Sequence, residues 1–366
     1  MLRPEANIYL DRLQKNYQFI QSMVGSAKVM AVVKADAYGH GAIPIAESLS
    51  DVGVHGFCVS LTSEIRDLIC ANINKPILHL GAISSDSLDV YESGQARCTI
   101  NSIQDVKILE NHGCQHNIRI IAHLKVDTGM GRLGVHYDDL YKILLALSEC
   151  RYIDIEGVYS HFSTAEEKNI EYRDWQLIRF KKVIAMTEKI LPDIKYRHLA
   201  NSAAVLTCPE SHFNMVRPGI SLYGITPFTR PNKHLLPVMR MQAPIVLIKR
   251  FKQGEVVGYN RKYVTEENEK IAIIQAGYAD GIPMELSNGG EVEIEGSIYS
   301  VAGKVSMDLV AISCKDMDDK QDHIAIFWGG DDMNIRLETL ANKFDKIPYE
   351  FLTGVTKSVR RNYINE

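Results

Sequence analysis

Apolar runs rich in Val, Ile and Ala alternate with stretches of three- and four-residue apolar spacing over roughly the first 225 residues of the chain. The runs predict eight strands, over residues 29–34, 56–60, 76–81, 98–101, 118–126, 155–160, 196–199 and 215–223. The stretches between them predict helices, the longest over 169–191, and Asp11 is the expected N-cap of a helix before the first strand. Eight strand–helix repeats predict an α/β fold with an N-terminal (β/α)8 TIM-type barrel.

The pattern changes after about residue 236, where short strands separated by turns replace the alternation and helical spacing is scarce until residues 337–344. Pro231, Pro237 and Pro244 mark the change. A chain of 366 residues is also too long for one compact core. The sequence therefore predicts two domains, a barrel over 1–235 and a mainly β C-terminal domain over 236–366.

The composition excludes several classes of function. With 41 basic and 45 acidic residues, a net charge of −4 gives no basic footprint for nucleic acid or an anionic membrane. No apolar run approaches the roughly 20 residues of a membrane span, and the first residues lack the apolar core of a signal peptide. The seven cysteines are scattered without a C-x-x-C pair, so reduced thiols and a cytoplasmic location are expected. No metal site is expected, because the cysteines are dispersed and the histidines lack ligand spacing.

Polar residues gather at the predicted carboxyl ends of the strands, which in such a barrel meet at the face that carries the active site. They are Lys34 and Tyr38 after the first strand, Lys125 to Arg132 after the fifth, His161 after the sixth, Asn201 and Ser202 after the seventh, and Arg217, Gly219 and Ile220 around the eighth. Each has an ordinary explanation alone; Asn201-Ser202, for example, is a normal helix N-cap. Their convergence on one end of the barrel favours a functional site.

Three of these features together suit pyridoxal phosphate. A desolvated lysine such as Lys34 has a lowered pKa and forms a Schiff base with a carbonyl. A helix that begins at Ser202, with the backbone N–H groups of Gly219 and Ile220, suits a phosphate. No G-x-x-x-x-G-K-[ST] or G-x-G-x-x-G stretch competes for the phosphate. The sequence therefore predicts pyridoxal phosphate as the cofactor, with the cationic Arg217 in the same site.

On these residues the chain resembles the alanine racemase family, and the resemblance extends over essentially its whole length. The motifs that carry it are 31–41 (AVVKADAYGHG), 125–134 (KVDTGMGRLG), 161–164 (HFST), 198–203 (HLANSA), 216–220 (VRPGI) with 223–224, 257–259 (VGY), 276–281 (AGYADG), 305–308 (VSMD) and 349–350 (YE). Any one of these motifs is weak. Their number and order make the resemblance specific.

The resemblance implies interconversion of L- and D-alanine with pyridoxal 5′-phosphate. It makes Lys34 the Schiff-base lysine and one catalytic base, and Tyr259 the second base. The residues that it places around the cofactor are Lys34, Tyr38, His161, Asn201, Ser202, Arg217, Gly219, Ile220 and Tyr349. It places Arg132, Met307, Asp308 and Tyr278 near the substrate or its entrance. Lys125 matches a lysine that is carbamylated in some members, where the added carboxylate pairs with the arginine that matches Arg132.

The expected chemistry explains why two bases are needed. Racemisation removes the α-proton from one face and returns one on the other, which Lys34 and Tyr259 on opposite faces achieve. Tyrosine has an ordinary pKa of about 10, so it needs cationic surroundings to act as a base. Arg217 matches the residue at the pyridine nitrogen. Because arginine is always charged and only donates, it is expected to keep that nitrogen unprotonated and to favour rapid reprotonation over side reactions.

The second domain carries Tyr259 and Met307, so the resemblance implies a head-to-tail homodimer with shared active sites. A cytoplasmic enzyme that makes D-alanine for peptidoglycan is the expected setting. Two departures from the family pattern stand out. Ser306 replaces the cysteine that is common before Met-Asp, and the tail 358–363 lacks the proline that is usual at position 360.

Three alternatives remain beside this interpretation. A decarboxylase of the same architecture would carry a glutamate-bearing segment at Arg217 and a cysteine-containing substrate loop, neither of which is visible. A non-catalytic pyridoxal phosphate carrier has a single barrel, and the C-terminal β domain with Tyr259 argues against it. A racemase for serine or a larger amino acid is the third. Tyr349 and Met307 favour a small pocket, although such a pocket rejects one extra hydroxyl only weakly.

Overall fold

The structure, a computed structural model, describes residues 3–318, 322–330 and 333–365. The chain divides into two compact units. The barrel unit consists of Tyr17–Ala37 and Ala42–Leu222, and the β unit consists of Met1–Asn16, Tyr38–Gly41 and Tyr223–Glu366. No helix within the described ranges combines the length and the apolar character that a membrane crossing requires.

Eight parallel strands close the barrel. They are β1 (Lys28–Val32), β2 (Gly56–Val59), β3 (Ile77–His79), β4 (Ala96–Ile100), β5 (Ile120–Asp127), β6 (Ile153–Tyr159), β7 (Tyr196–His198) and β8 (Met215–Val216). Each strand pairs with the next, and β8 returns to β1 with Met215 opposite Lys28. The strands read as nearly continuous buried runs, and all of β2 is buried. This is the pattern of parallel strands covered on both faces.

Helices connect the strands. The α-helices up to residue 207 are Leu10–Val24, Ala42–Asp51, Thr62–Cys70, Ile103–His116, Leu140–Ser148, Glu171–Ile190 and Ser202–Thr207, with a six-residue helical turn at Lys34–Gly39. Shorter 3-10 turns are Ser85–Tyr91, Tyr137–Asp139, Pro209–Ser211 and Ile220–Tyr223, and a two-residue strand, Val135–His136, pairs with the end of β5. Apolar residues at helical spacing, such as Ile65 and Leu68, are fully buried. Each such side chain contributes about 1.5–3 kcal/mol by leaving water.

The (β/α)8 barrel predicted from the sequence is confirmed. The eighth strand is much shorter than predicted, because Pro218 has no N–H for a strand ladder and the chain turns into Ile220–Tyr223. Asp11 is not an N-cap, as the sequence suggested. It lies in the first turn of Leu10–Val24 and forms an ion pair with Lys15 at 2.8 Å.

The β unit contains the strands Glu5–Tyr9, Met239–Phe251, Val256–Val257, Tyr263–Val264, Glu269–Ile274, Glu291–Ile294, Ser297–Ser300, Val310–Ser313, Ile324–Trp328 and Arg360–Ile364. Met239–Phe251 alternates buried and half-exposed residues over most of its length and pairs antiparallel with Glu5–Tyr9, Glu269–Ile274 and Ile324–Trp328. Arg360–Ile364 runs parallel to Glu5–Tyr9. In the described residues after 239 the α-helices are Leu337–Lys343 and Pro348–Gly354. The 3-10 turns there are Tyr259–Arg261, Tyr278–Asp280, Met284–Leu286 and Met333–Ile335.

The mainly β character of the C-terminal part is confirmed, with differences in detail. The strand predicted over 305–313 begins only at Val310, because Ser306 N donates to Leu309 O and bends residues 306–309 into a turn. The strands Glu5–Tyr9, Tyr263–Val264, Ser297–Ser300 and Arg360–Ile364 were not predicted. They are too short for their alternation to stand out in the sequence.

Candidate active site

Lys34 follows the end of β1 and begins an unusual turn. β1 stops at Val32, and the next residues after Lys34 adopt a left-handed helical conformation, with φ of 53–54° at Ala35, Asp36, Ala37 and Tyr38. Four consecutive residues with side chains in this region carry strain, about 1–2 kcal/mol each. Asp36 Oδ1 accepts from Ala42 N at 2.7 Å and helps to hold the turn closed. Strain of this kind clusters at functional sites.

The carboxylate of Glu64 binds backbone N–H groups of two segments, the turn after β1 and the loop after β2. Its Oε1 accepts from Ala35 N at 2.6 Å, and its Oε2 accepts from Ser60 N and Leu61 N at 2.9 and 3.0 Å. The end of β1 and the loop after β2 are thereby joined through one carboxylate. Glu64 also acts on Lys34 electrostatically, because its negative charge raises the pKa of the lysine against larger effects that lower it.

Cations outnumber anions at this end of the barrel. Burial and then the charge of Arg132 lower the pKa of Lys34. Burial and then the charges of Arg217 and Arg132 lower the pKa of Lys125 to about 8. Among the described residues, Lys34, Lys125 and Arg132 form no ion pair with a carboxylate. The cluster therefore attracts anions, and its two lysines are neutral more often than exposed lysines are.

Asp127 forms no ion pair with these cations in the described part of the chain, because its carboxylate binds backbone N–H groups, although its charge still raises the pKa of Lys125. Oδ1 accepts from Gly129 N and Met130 N, and Oδ2 from Gly131 N, each at 2.8 Å. Burial alone would raise the pKa of Asp127, but these hydrogen bonds hold it below its ordinary value. The folded loop presents the exposed Arg132 beside the barrel end.

Arg217, just after β8, anchors a chain of buried polar groups. Nη1 donates to His198 Nδ1 at 2.6 Å, and Nη2 donates to Ser160 O at 2.7 Å. His198 Nε2 lies 2.7 Å from His123 Nδ1, and His123 Nε2 lies 3.4 Å from Glu156 Oε2. In the described part of the chain no hydrogen bond runs from Nε of Arg217, so this N–H is available to a ligand.

His161 is held neutral in this surrounding. Burial, and then the charges of Arg217 and Lys125, lower its pKa well below the ordinary value. Its Nδ1 lies 3.5 Å from Nη2 of Arg217, an arrangement that favours Nδ1 as the acceptor and the proton on Nε2. Gln176 Nε2 donates to the backbone oxygen of His161 at 3.1 Å and positions the segment.

Hydroxyl groups gather where β7 and β8 end. Ser202 begins the helix Ser202–Thr207, and Asn201 caps it by accepting from Ala204 N at 3.1 Å. The Oγ of Ser202 accepts from Gly219 N at 2.9 Å and from Ser221 N at 3.3 Å, so its own proton is free to point elsewhere. The Oγ of Ser221 is buried without a hydrogen-bond partner among the described atoms. A phosphate would supply the acceptors that the hydroxyls of Ser202 and Ser221 lack. Ile220 lies directly before Ser221 in the chain.

Tyr38 and Tyr349 lie together in the β unit, with ring centroids 5.7 Å apart. Tyr38 also packs against Tyr223, at 4.9 Å. Tyr349 stands in the first turn of Pro348–Gly354. The structure thus brings these two phosphate candidates, 311 positions apart in the sequence (349 − 38), into one aromatic group.

The remaining candidates lie on exposed turns of the β unit. Tyr278 N donates to Ser306 O, and Ala279 N donates to Met307 O, both at 3.0 Å, so the turn that holds Tyr278 is bonded to the loop that holds Met307 and Asp308. A Cβ at Gly277 would stand 2.1 Å from Met307 O, so only glycine allows this approach. Tyr259 follows Gly258, whose φ is 71°, and its side chain is 67% exposed. Such exposure is high for a tyrosine and leaves its hydroxyl accessible.

The candidates divide between the two units. The barrel-unit set is Lys34, Lys125, Arg132, His161, Asn201, Ser202, Arg217, Gly219 and Ile220, and the β-unit set is Tyr38, Tyr259, Tyr278, Met307, Asp308 and Tyr349. Glu64, His123 and Glu156 were not singled out from the sequence, and Asp127 appeared there only as part of the run 125–132. The signal for His123 was present, since it lies two residues before Lys125 on the same side of β5.

A closed barrel with a lysine of lowered pKa after its first strand and a buried arginine after its last, in one chain with a mainly β unit, defines the barrel class of pyridoxal phosphate enzymes. Residues 8–227 match the alanine racemase N-terminal domain, and residues 238–363 match the alanine racemase C-terminal domain. The chain belongs to the alanine racemase family.

Full-length relatives agree with this assignment. Alanine racemase 1 of Caldanaerobacter subterraneus is 34% identical over 99% of this chain and 95% of the relative. The structure of alanine racemase from Bartonella henselae with covalently bound pyridoxal phosphate superposes with a TM-score of 0.91 at 29% identity, covering 100% of both chains. The biosynthetic alanine racemase from Pseudomonas aeruginosa gives a TM-score of 0.91 at 30% identity, again covering 100% of both chains.

Proposed function

We propose that the chain racemises alanine with two bases, Lys34 and Tyr259, which exchange the α-proton on opposite faces of the substrate. As a member of the alanine racemase family, it interconverts L- and D-alanine and uses pyridoxal 5′-phosphate as its cofactor. The observation that carries the assignment of Lys34 is its lowered pKa beside Arg132 at the end of β1. A neutral amine accepts a proton, whereas an exposed, charged lysine cannot.

The cofactor, when bound, supplies an electron-withdrawing ring that stabilises negative charge at the α-carbon. The residues that would hold it are those that suit a phosphorylated aromatic ring. Arg217 has an available Nε donor for a ring nitrogen, and His161 is a neutral aromatic ring for stacking. Ser202, Ile220, Tyr38 and Tyr349 would hold the phosphate. Gly219, whose N–H donates to Ser202 Oγ, would position that hydroxyl, and Asn201 fixes the start of the helix that carries Ser202.

Arg132 is the group that would bind the substrate carboxylate, because it is a cation without an ion pair in the described part of the chain. Met307 and Asp308 would lie near the same substrate, and Tyr278 would line its entrance. We infer that Lys125 is carbamylated: its neutral amine adds to CO2, one proton leaves, and the carboxylate formed pairs with Arg132. The pKa of about 8 supports this reaction, since only the neutral amine attacks CO2.

Tyr259 and Met307 would act in the barrel of a second copy, so that a homodimer has two shared active sites. The exposure of Tyr259 at 67% and of Met307 at 54% supports a partner that covers them. The proposed division assigns cofactor binding to residues 1–235 and the second base to residues 236–366, although the strand Glu5–Tyr9 belongs to the β unit. A C2 interface makes the two sites equivalent.

We further infer a cytoplasmic enzyme whose D-alanine enters peptidoglycan. All seven cysteines are free thiols, which suits a reducing compartment. The biosynthetic role that is stated for the Pseudomonas aeruginosa relative is the role proposed for this chain. Growth of a D-alanine auxotroph on plates without D-alanine, after expression of the chain, tests this role; growth with the wild type and none with Lys34→Ala is expected.

The activity is tested by proton NMR of L-alanine in heavy water with the purified protein and pyridoxal phosphate, beside a chiral assay. Loss of the α-proton signal together with formation of D-alanine is expected, and Lys34→Ala should abolish both. Formation of ethylamine would assign a decarboxylase instead. Faster exchange with L-serine than with L-alanine would transfer the substrate assignment to serine.

A further inference from the structure

Two histidines and a glutamate converge on the outside of the barrel, away from the catalytic residues. His112 and His116 occupy the last turn of the helix Ile103–His116, and Glu92 follows the 3-10 turn Ser85–Tyr91. Glu92 Oε1 lies 3.0 Å from His112 Nε2 and 3.7 Å from His116 Nδ1. All three ligand atoms lie within 4.8 Å of one another.

The two histidines are four residues apart on one helix, so they share a face. Their rings pack with centroids 4.3 Å apart. The expectation from the sequence that the histidines lack ligand spacing did not take this pair into account. The pattern was visible as H-x-x-x-H, but the glutamate that completes it comes from another segment and appears only in the fold.

The distances suit a small transition-metal ion. With metal–ligand bonds of about 2.0–2.1 Å, neighbouring ligands of a tetrahedral ion stand about 3.3 Å apart. The separations of 3.0 and 3.7 Å bracket this value, and the half-exposed His116 can rotate toward the ion. Two imidazoles and one carboxylate select Zn²⁺, Co²⁺, Ni²⁺ or Cu²⁺ over Mg²⁺ and Ca²⁺, which prefer oxygen ligands.

The backbone that carries the ligands is well fixed. Asn117 ends the helix in the left-handed conformation, and its N–H donates to Gly113 O. Gly113 is buried so tightly that a Cβ there would stand 2.5 Å from the Cβ of Tyr152. Glu92 N donates to Asp89 O at 3.2 Å. A cation at this place also meets the negative end of the helix dipole, which stabilises it further.

We propose that Glu92, His112 and His116 form a binding site for a divalent transition-metal ion, and that Zn²⁺ is the preferred ion. Water completes the coordination, because the three side chains are partly exposed. Glu92 precedes β4 and the histidines precede β5, so the site lies at the amino ends of the strands, opposite the face of Lys34 and Arg217. That face of such a barrel serves stability. The ion joins two neighbouring connections of the barrel and stabilises the native state by mass action.

Calorimetric titration of Zn²⁺ into the tag-free, cofactor-loaded protein, after dialysis against EDTA, tests the proposal. One Zn²⁺ per chain is expected, with affinity at least tenfold weaker in His112→Ala, His116→Ala and Glu92→Gln. His136→Ala is the matched control, because His136 is an exposed histidine 3.6 Å from one carboxylate, Asp138, without a second imidazole. This control should bind Zn²⁺ as the wild type does.

Two further readouts separate a built site from general loss of structure. Cu²⁺ bound at the site should show hyperfine coupling to two nitrogens in its EPR spectrum, and to one in His116→Ala. Zn²⁺ should raise the melting temperature of the wild type and of His136→Ala, but not of His116→Ala. Equal Zn²⁺ affinity in the wild type and His116→Ala, or no saturable binding up to about 1 mM, would overturn the proposal. Racemase activity without Zn²⁺ should be the same in all variants.

Discussion

Arg217 donates from Nη1 to Nδ1 of His198 across 2.6 Å, and this bond sets the direction of every hydrogen bond behind it. Because guanidinium only donates, His198 Nδ1 is an acceptor and the proton of the neutral ring is on Nε2. That proton goes to His123 Nδ1, so His123 carries its own proton on Nε2 and donates it to Glu156. Burial lowers the pKa of both histidines and keeps them neutral. A buried cation is thus connected to a carboxylate through two oriented rings.

Glu156 is expected to stabilise the fold above about pH 4.5 and to lose this effect at lower pH. Burial raises its pKa, but hydrogen bonds from His123 and Arg97 outweigh burial and hold the pKa at about 2. A carboxyl with a lowered pKa in the native state stabilises it above the unfolded pKa, and the effect disappears as pH falls through the native value. Glu156→Gln should therefore cost roughly 2 kcal/mol at pH 7, and the difference from wild type should shrink between pH 4.5 and pH 2.

Urea denaturation at several pH values measures this difference. Glu210→Gln is the control, since Glu210 forms an exposed ion pair with Lys181 at 2.7 Å and should change stability by less than about 1 kcal/mol. A pH-independent loss in Glu156→Gln would contradict the prediction.

Lys125 should carry a carbamate whose amount rises with pH through about 8, because only the neutral amine reacts with CO2. Carbon-13 NMR of the protein in ¹³C-bicarbonate should show one protein-bound carbamate signal. The signal should be absent in Lys125→Ala and present in Lys107→Ala, which removes an exposed lysine. A carbamate signal that survives in Lys125→Ala would exclude Lys125 as its site.

Glu64→Gln should lower the pKa of Lys34. The carboxylate raises that pKa, and glutamine removes the charge while keeping one of the two acceptor oxygens. NMR titration of ¹³C-methylated lysines in the cofactor-free protein measures the change, and Lys34→Ala identifies the resonance. Glu47→Gln, an exposed glutamate, should leave the titration unchanged. A Lys34 resonance that titrates higher in Glu64→Gln would reverse the assigned sign.

Mixed dimers should recover activity if the sites are shared between subunits. In a hybrid of Lys34→Ala and Tyr259→Ala chains, one of the two sites keeps both bases, so random exchange should restore about a quarter of wild-type activity. Chiral assay after verified subunit exchange measures the recovery. A mixture of Lys34→Ala and Arg217→Ala chains should stay inactive, because these two residues belong to the same barrel unit. Recovery in the second mixture alone would argue against the proposed sharing.

The sequence was sufficient for the barrel because its strands are buried on both faces and read as apolar runs between helices. It also placed Lys34, His161 and Arg217 at strand ends, where the barrel brings them together. It could not find Glu64 or Glu156, because each acts through a partner in a distant segment: Ala35 for Glu64, and His123 and Arg97 for Glu156. The left-handed turn at 35–38 was not predicted either, since Ala and Tyr rarely adopt positive φ.

The strand Glu5–Tyr9 has a consequence for how the chain folds during synthesis. Its partners are Met239–Phe251 and Arg360–Ile364, so a strand that is made before the barrel strands pairs only with residues made after them. All eight barrel strands, which end at Val216, leave the ribosome before either partner. The barrel can therefore form while the first strand is still unpaired. Completion of the β unit, which includes contacts such as that between Asn7 and Asn362, therefore follows synthesis of the barrel strands.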